Sequence, residues 1–206
     1  MKTNFLKLSF LLFTALIASC SNDDKPSTTA AVVTKKFSNL HAPQKGGQGQ
    51  PSEGPFTKFS FSENAIVTHD KWDIAFRGTT IIANGGAKIG IAGEPERTGK
   101  GAVSIVLGLF AGVTTIPSEA TFVQDGSAKY AIPTGSGNGW YGYNSTTHII
   151  SPLAGKVFVV KTHDGKYAKF EILSYYKDAP ATPTLTTESS YYTFNYAYQA
   201  NSTTTF

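Results

Sequence analysis

The sequence is poor in the residues that most often carry chemistry. Its 206 residues contain one cysteine, Cys20, and one methionine, Met1. A lone cysteine excludes a disulfide within the chain, and its place at the end of an apolar leader leaves no thiol for catalysis. No HxxxH or CxxC pattern occurs, and no carboxylates recur at the spacing of a paired acid and base. Charged residues are only 16% of the chain. The formal charge of +4 includes Lys2 and Lys7 of the leader, and 18 basic residues less these two leaves 16 against 14 acidic ones. A balance of +2 with no Lys/Arg run is not the electrostatic footprint of a nucleic-acid binder. The longest apolar run, Leu8 to Ile17, is too short to span a bilayer.

That run instead has the form of a secretory signal, residues 1–19, with Lys2 and Lys7 as its positive end. The segment Leu16-Ile17-Ala18-Ser19-Cys20 resembles a bacterial lipobox, in which cleavage leaves a lipidated Cys20 at the new N-terminus. Lipid on Cys20 implies a protein anchored to a membrane rather than spanning it. Ser21-Asn22-Asp23-Asp24 resembles the acidic tag that sends some Gram-negative lipoproteins to the cell surface, so the expected location is the outer membrane, facing outward. Residues 20–55 then read as lipidated cysteine, flexible tether and loop, with a possible first strand from Val32 to Phe37.

What the chain has in quantity is Phe, Tyr, Gly and Pro, an all-β composition. Gly155 to Asp178 predicts a long hairpin, with strands Val157 to Lys161 and Tyr167 to Tyr176 joined through Asp164-Gly165. In its second strand Phe170 and Ile172 alternate with Lys169 and Glu171, predicting one apolar face and one wet face. Phe56 to Phe61 and Ala65 to Thr68 predict a strand pair. Strict alternation puts Trp72, Ile74 and Phe76 on one face, with Asp73 opposite, solvated or bonded to a neighbouring loop. Thr79 to Ala83, Ala87 to Ile91 and Ala102 to Phe110 read as further strands. Gln124-Asp125-Gly126-Ser127 carries a second hairpin signal, and Tyr191 to Gln199 closes the domain with Tyr192, Phe194, Tyr196 and Tyr198 on one face. The fold expected is an antiparallel β-sandwich-like single domain over residues 56–206, with long loops and little or no helix outside the leader.

Two superficial motifs fail on inspection. Gly93 to Gly101 has five residues before Gly99-Lys100 rather than four, and Gly101 where a phosphate-binding loop needs Ser or Thr. Gly135-Ser136-Gly137 lacks the second flank of a nucleophile elbow. Of the four histidines, His41 falls in a linker, His69 before the Trp72 strand, His163 in the hairpin turn, and His148 at the start of a strand, Thr147 to Ile150, just after an aromatic cluster. That cluster, Trp140, Tyr141 and Tyr143, follows the Gly-rich loop 133–139. Aromatics beside such a loop are what a small-molecule or haem site uses.

Several segments, in this order and spacing, resemble the HmuY family of surface lipoproteins from about Phe59 to Tyr198. They are Lys71-Trp-Asp-Ile-Ala-Phe76, Asn84-Gly-Gly86, Gly139-Trp140, Lys156-Val-Phe-Val-Val160 with Asp164-Gly165-Lys166-Tyr167-Ala168-Lys169, Ser174-Tyr-Tyr176, and Tyr192-Thr-Phe194 with Tyr196. The resemblance implies an all-β fold, capture of haem outside the cell, and delivery to a TonB-dependent receptor rather than catalysis. It also implies two axial histidines in the best-known member or methionine pairs in some relatives, and neither pattern is matched: residues 133–139 hold no histidine, and Met1 leaves with the leader. The residues left to bind haem are His148 or Tyr143 as iron ligand, with Trp140 stacking, implying weak or five-coordinate binding. The alternative is a lipoprotein of the same fold that binds another ligand or a partner surface protein.

Overall fold

The computed structural model describes residues 32–47 and 49–206. The leader, Cys20 and most of the tether lie outside these residues. Thirteen strands follow in chain order: β1 (Thr34–His41), β2 (Lys45–Gly47), β3 (Gln50–Glu53), β4 (Thr57–Ser60), β5 (Ala65–Val67), β6 (Ile74–Arg77), β7 (Thr80–Ala83), β8 (Ala102–Leu107), β9 (Tyr141–Asn144), β10 (Ile149–Pro152), β11 (Lys156–Lys161), β12 (Tyr167–Tyr176) and β13 (Ser189–Gln199). Two single 3-10 turns, Phe110–Gly112 and Glu119–Thr121, are the only helical pieces among the described residues. A five-stranded antiparallel sheet, ordered β1-β13-β12-β11-β8, faces a four-stranded one, β5-β4-β6-β7, and β9–β10 and β2–β3 form separate ribbons. The expected all-β architecture and the central hairpin both hold: Phe158 pairs with Phe170 and Lys161 with Tyr167.

The two sheets meet through aromatic rings. Phe59, Phe61, Ile74 and Phe76 of the smaller sheet interdigitate with Phe158, Phe170, Phe194 and Tyr196 of the larger one. Phe59 stands edge-on to Phe194 at 5.3 Å between ring centres, the geometry that aromatic quadrupoles favour. Tyr192, Phe194 and Tyr196 line one face of β13, as alternation predicts, with Tyr198 packed at its margin.

Both sheets are also covered on their outer faces, and this explains most departures from the sequence reading. Val157 and Val159 point away from the main core into a second layer with Phe110 and Val113. The run Val157-Phe158-Val159-Val160 is therefore apolar throughout, as strands buried on both sides are. The same layer covers Lys169, expected on a wet face. Its ammonium donates to the carbonyls of Phe110 (2.9 Å) and Val113 (2.7 Å) and lies 4.5 Å from the Phe110 ring centre, and burial lowers its pKa. Trp72 also departs from expectation. It packs with Ala75 and Ile82 on the outer face of the smaller sheet while Ile74 and Phe76 enter the main core, because the strand begins only at Ile74 and alternation does not reach back to Trp72.

Further corrections concern loops. The folded unit does not start at Phe56: β1 is an edge strand of the larger sheet, paired to β13, and carries buried Leu40. Ala87 to Ile91 is not a strand, since the N–H groups of Ile89, Gly90 and Ile91 donate to the Glu94 carboxylate instead of a ladder. The Asp125-Gly126 signal makes only a tight turn, bridged at Gly126 and Lys129. Asp125 is buried there and accepts from Ala83 N–H (2.8 Å), Ala131 N–H (2.7 Å) and the Arg97 guanidinium (3.1 Å). Its carboxylate thus joins β7 to the chain after the turn.

Two outcomes follow. Asp125→Ala leaves two backbone donors and a buried guanidinium short of a partner, and should cost about 3–5 kcal/mol in denaturant unfolding. Burial raises Tyr196 and Tyr198 to about 12 and lifts Tyr192 well above the ordinary phenol value. The folded state therefore keeps these protons where the unfolded chain has lost them, so their contribution to stability is level below pH of about 10 and falls as pH rises from there towards 12. Absorbance at 295 nm should show these three phenols un-ionised at pH 11 while the fold persists.

Candidate functional site

Residues 133–150 leave the core as a glycine loop and return as the β9–β10 ribbon. Gly139 lies so close to the chain that a Cβ would sit 1.9 Å from the Pro133 carbonyl, so only glycine lets the loop fold back here. That turn drives Trp140 inward. Its indole N–H donates to the Thr79 carbonyl (2.8 Å), and its ring packs on Tyr141, Tyr175 and Tyr192 at 4.9, 5.4 and 5.1 Å. The expectation that Trp140 stacks on a ligand is corrected on this point: it is 2% exposed and belongs to the core.

Tyr143 and His148 are brought together. Asn144 accepts from Thr146 and Thr147 N–H and closes the turn, and His148 occupies the left-handed region at φ 57°. His148 thus precedes β10 rather than beginning a strand. The Tyr143 hydroxyl lies 2.6 Å from His148 Nδ1, and both residues are exposed. His148 Nε2 carries no hydrogen bond among the described residues. Ile150, paired with Tyr143, is held from behind by its N–H to the Tyr176 hydroxyl (2.9 Å).

A groove of about 420 Å³ runs between this ribbon and residues 181–185, lined by Asn144, Thr147, Ile149 and Ser151. Asn144 and Ile149 are register partners, and alternation places Tyr143 and Ile150 on the other face of the ribbon. The Tyr143–His148 pair therefore does not open into the groove.

The remaining histidines have structural roles. His41 is not in a linker but ends β1 and stacks on Tyr191 at 4.3 Å between ring centres. His69 pairs with Glu63 at the surface (3.2 Å). His163 does more than occupy a turn: its N–H and Nδ1 both bond Asp73 at 2.9 Å. Asp73 is buried, so the expected bond to a neighbouring loop is the one realised, and burial raises its pKa against the lowering by these donors. Sequence reasoning passed over the other interior ionic groups, Glu94 with Arg97 and Asp125, although charges inside apolar stretches are a legible signal. No group of three His, Cys, Asp or Glu placed to hold a metal ion occurs among the described residues.

These features define an all-β sandwich domain with an exposed phenol–imidazole pair on a ribbon beside the main sheets. The chain belongs to the HmuY family, whose model, described as HmuY protein, matches residues 52–196. No curated protein matches it. Among solved structures, a candidate lipoprotein from Bacteroides fragilis is 13% identical with a TM-score of 0.47, covering 82% of this chain and 91% of that one. A candidate HmuY-like heme-binding protein from Bacteroides vulgatus is 15% identical with a TM-score of 0.45, covering 84% and 94%. An apo HmuY analog from Tannerella forsythia is 15% identical with a TM-score of 0.44, covering 84% and 98%.

The different placements of Trp140 and His148 predict different costs. Trp140→Ala should lose about 3–5 kcal/mol, whereas His148→Gly, at a left-handed position, should hold or raise stability by up to about 1 kcal/mol. Thermal unfolding of the two variants checks both.

Proposed function

We propose that the protein is a surface lipoprotein, anchored through Cys20 to the outer membrane, that binds haem or a related porphyrin and passes it to a TonB-dependent receptor. The observation that carries this reading is the family match over residues 52–196 together with an exposed imidazole whose Nδ1 is already engaged. Haem would supply an iron that an imidazole nitrogen can ligate. His148 would offer Nε2 to it as the tautomer whose Nδ1–H donates to the Tyr143 hydroxyl oxygen, a contact that orients the ring as second partners of ligating imidazoles do. The left-handed turn holds that ring outward, and the Asn144 side chain fixes the turn.

The Tyr143 hydroxyl and His148 Nδ1 are engaged with one another at 2.6 Å, so the pair would offer iron one free nitrogen, His148 Nε2, rather than two ligands. The same observation, with Trp140 in the core, favours a second reading: a family member of the same fold that takes another ligand or docks a partner surface protein.

Haemin titration of the chain lacking its leader decides between them. The expected result is a Soret shift that His148→Gly abolishes and that Tyr143→Phe retains at roughly two- to tenfold weaker affinity, the loss of one hydrogen bond. No shift in the parent chain, or one indifferent to both substitutions, would overturn the haem site and leave the second reading.

A further inference from the structure

The chain contains two arginines, Arg77 and Arg97, and both are buried. Arg97 meets two carboxylates, Glu94 at 2.6 Å and Asp125 at 3.1 Å. Arg77, only 2% exposed, makes no ion pair among the described residues. Its Nη1 donates to the carbonyls of Gly54 (3.1 Å) and Ala92, and its guanidinium carbon lies 4.4 Å from the Phe56 ring centre. Carbonyl dipoles and a ring face soften a buried cation but do not neutralise it. Its Nε has no acceptor among the described residues. Arg97 Nε lacks one too, but that guanidinium already has its counter-charges. Glu94, close enough to influence Arg77, is committed elsewhere: one oxygen takes Gly90 and Ile91 N–H, the other Ile89 N–H and Arg97.

Arg77 lines a cleft of about 390 Å³ bounded by Ser52, Thr80, Tyr130 and residues 90–92. The half-buried Tyr130 hydroxyl makes no hydrogen bond among the described residues and is raised in pKa by its burial. The cleft therefore gathers a planar cation without a counter-ion and a free phenolic donor, beside the apolar flank of Pro51 and Ile91.

We propose that this cleft binds a small organic carboxylate, its two oxygens on the Arg77 guanidinium and the Tyr130 hydroxyl, its apolar body against Pro51 and Ile91. A carboxylate matches the fork of one guanidinium and carries a single charge. A phosphate dianion calls for a second cation, and none lines the cleft. The site shares no residue with the Tyr143–His148 pair and does not depend on haem binding.

With two arginines, the side-chain Nε–Hε region of a proton–nitrogen correlation spectrum holds two signals, and contact with the Phe56 ring assigns that of Arg77. Titration of the chain lacking its leader with sodium benzoate should move this signal along a saturating curve while the Arg97 signal stays in place. Sodium chloride at equal ionic strength should move neither, and inorganic phosphate should bind more weakly than benzoate. Tyr130→Phe, which keeps the ring, should weaken benzoate roughly two- to tenfold. A linear Arg77 shift no larger than that with chloride would overturn the site. Phosphate binding as tight as benzoate would overturn the ligand class, and unchanged affinity in Tyr130→Phe would overturn the placement in this cleft.

Discussion

The buried carboxylate of Asp73 ties one sheet to the other. Asp73 enters the smaller sheet just before β6, accepts from the Phe61 N–H at the end of β4 (2.8 Å), and takes both His163 donors from the turn between β11 and β12 (2.9 Å). Its backbone closes the same corner, donating to Phe59 O (2.8 Å) and accepting from Asn84 N–H (3.0 Å). Hydrophobic faces alone allow two sheets to slide over one another. A directional contact between a fixed acceptor and turns of both sheets does not, and it accompanies the placement in which Phe59, Phe61, Phe170 and Phe194 pack in one cluster.

The same device recurs wherever loops cross the outer faces. Glu94 gathers three consecutive N–H groups, Asn84 accepts from Thr98 and Gly99 N–H, Asp125 joins β7 to the chain beyond its turn, and Lys169 holds the Phe110 turn down on β12. Loops that cover apolar faces carry backbone groups that water no longer reaches, and buried side chains of matching polarity satisfy them. With this shell in place, interior charge is mostly paired. Lys169 and Arg77 instead meet backbone carbonyls and a ring face, and of the two it is Arg77 that lines a cleft, open to solvent between β3 and the loop after β7.

The candidate haem residues separate along the same line between interior and rim. Trp140 is drawn inward by the close approach at Gly139 and by its bond to Thr79, so it supports the ribbon from below instead of meeting a ligand. Tyr143 and His148 lie five positions apart across a turn, a span over which two side chains meet only if the backbone reverses, and the positive φ at His148 helps it do so. Their proximity rests on that turn geometry, while their residue types and neighbourhood were readable beforehand.

By itself, the sequence determined the all-β class, the central hairpin with its Asp164-Gly165 turn, the aromatic face of β13, the strand pair around Asn64 and the family. These are properties of period-two patterning, turn chemistry and short-range order, which act between residues near one another in the chain. Only the tertiary structure decided that β1 closes the larger sheet, that Trp72 and Lys169 are covered, that Trp140 is core, and that Arg77 is left without a counter-ion. Each depends on what a distant segment lays over a strand: β13 beside β1, the Phe110 turn over Lys169, Thr79 under Trp140, and residues 54 and 92 around Arg77. Alternation says that a strand has two faces. Burial of the second face is set by long-range packing, and local pattern carries no record of it.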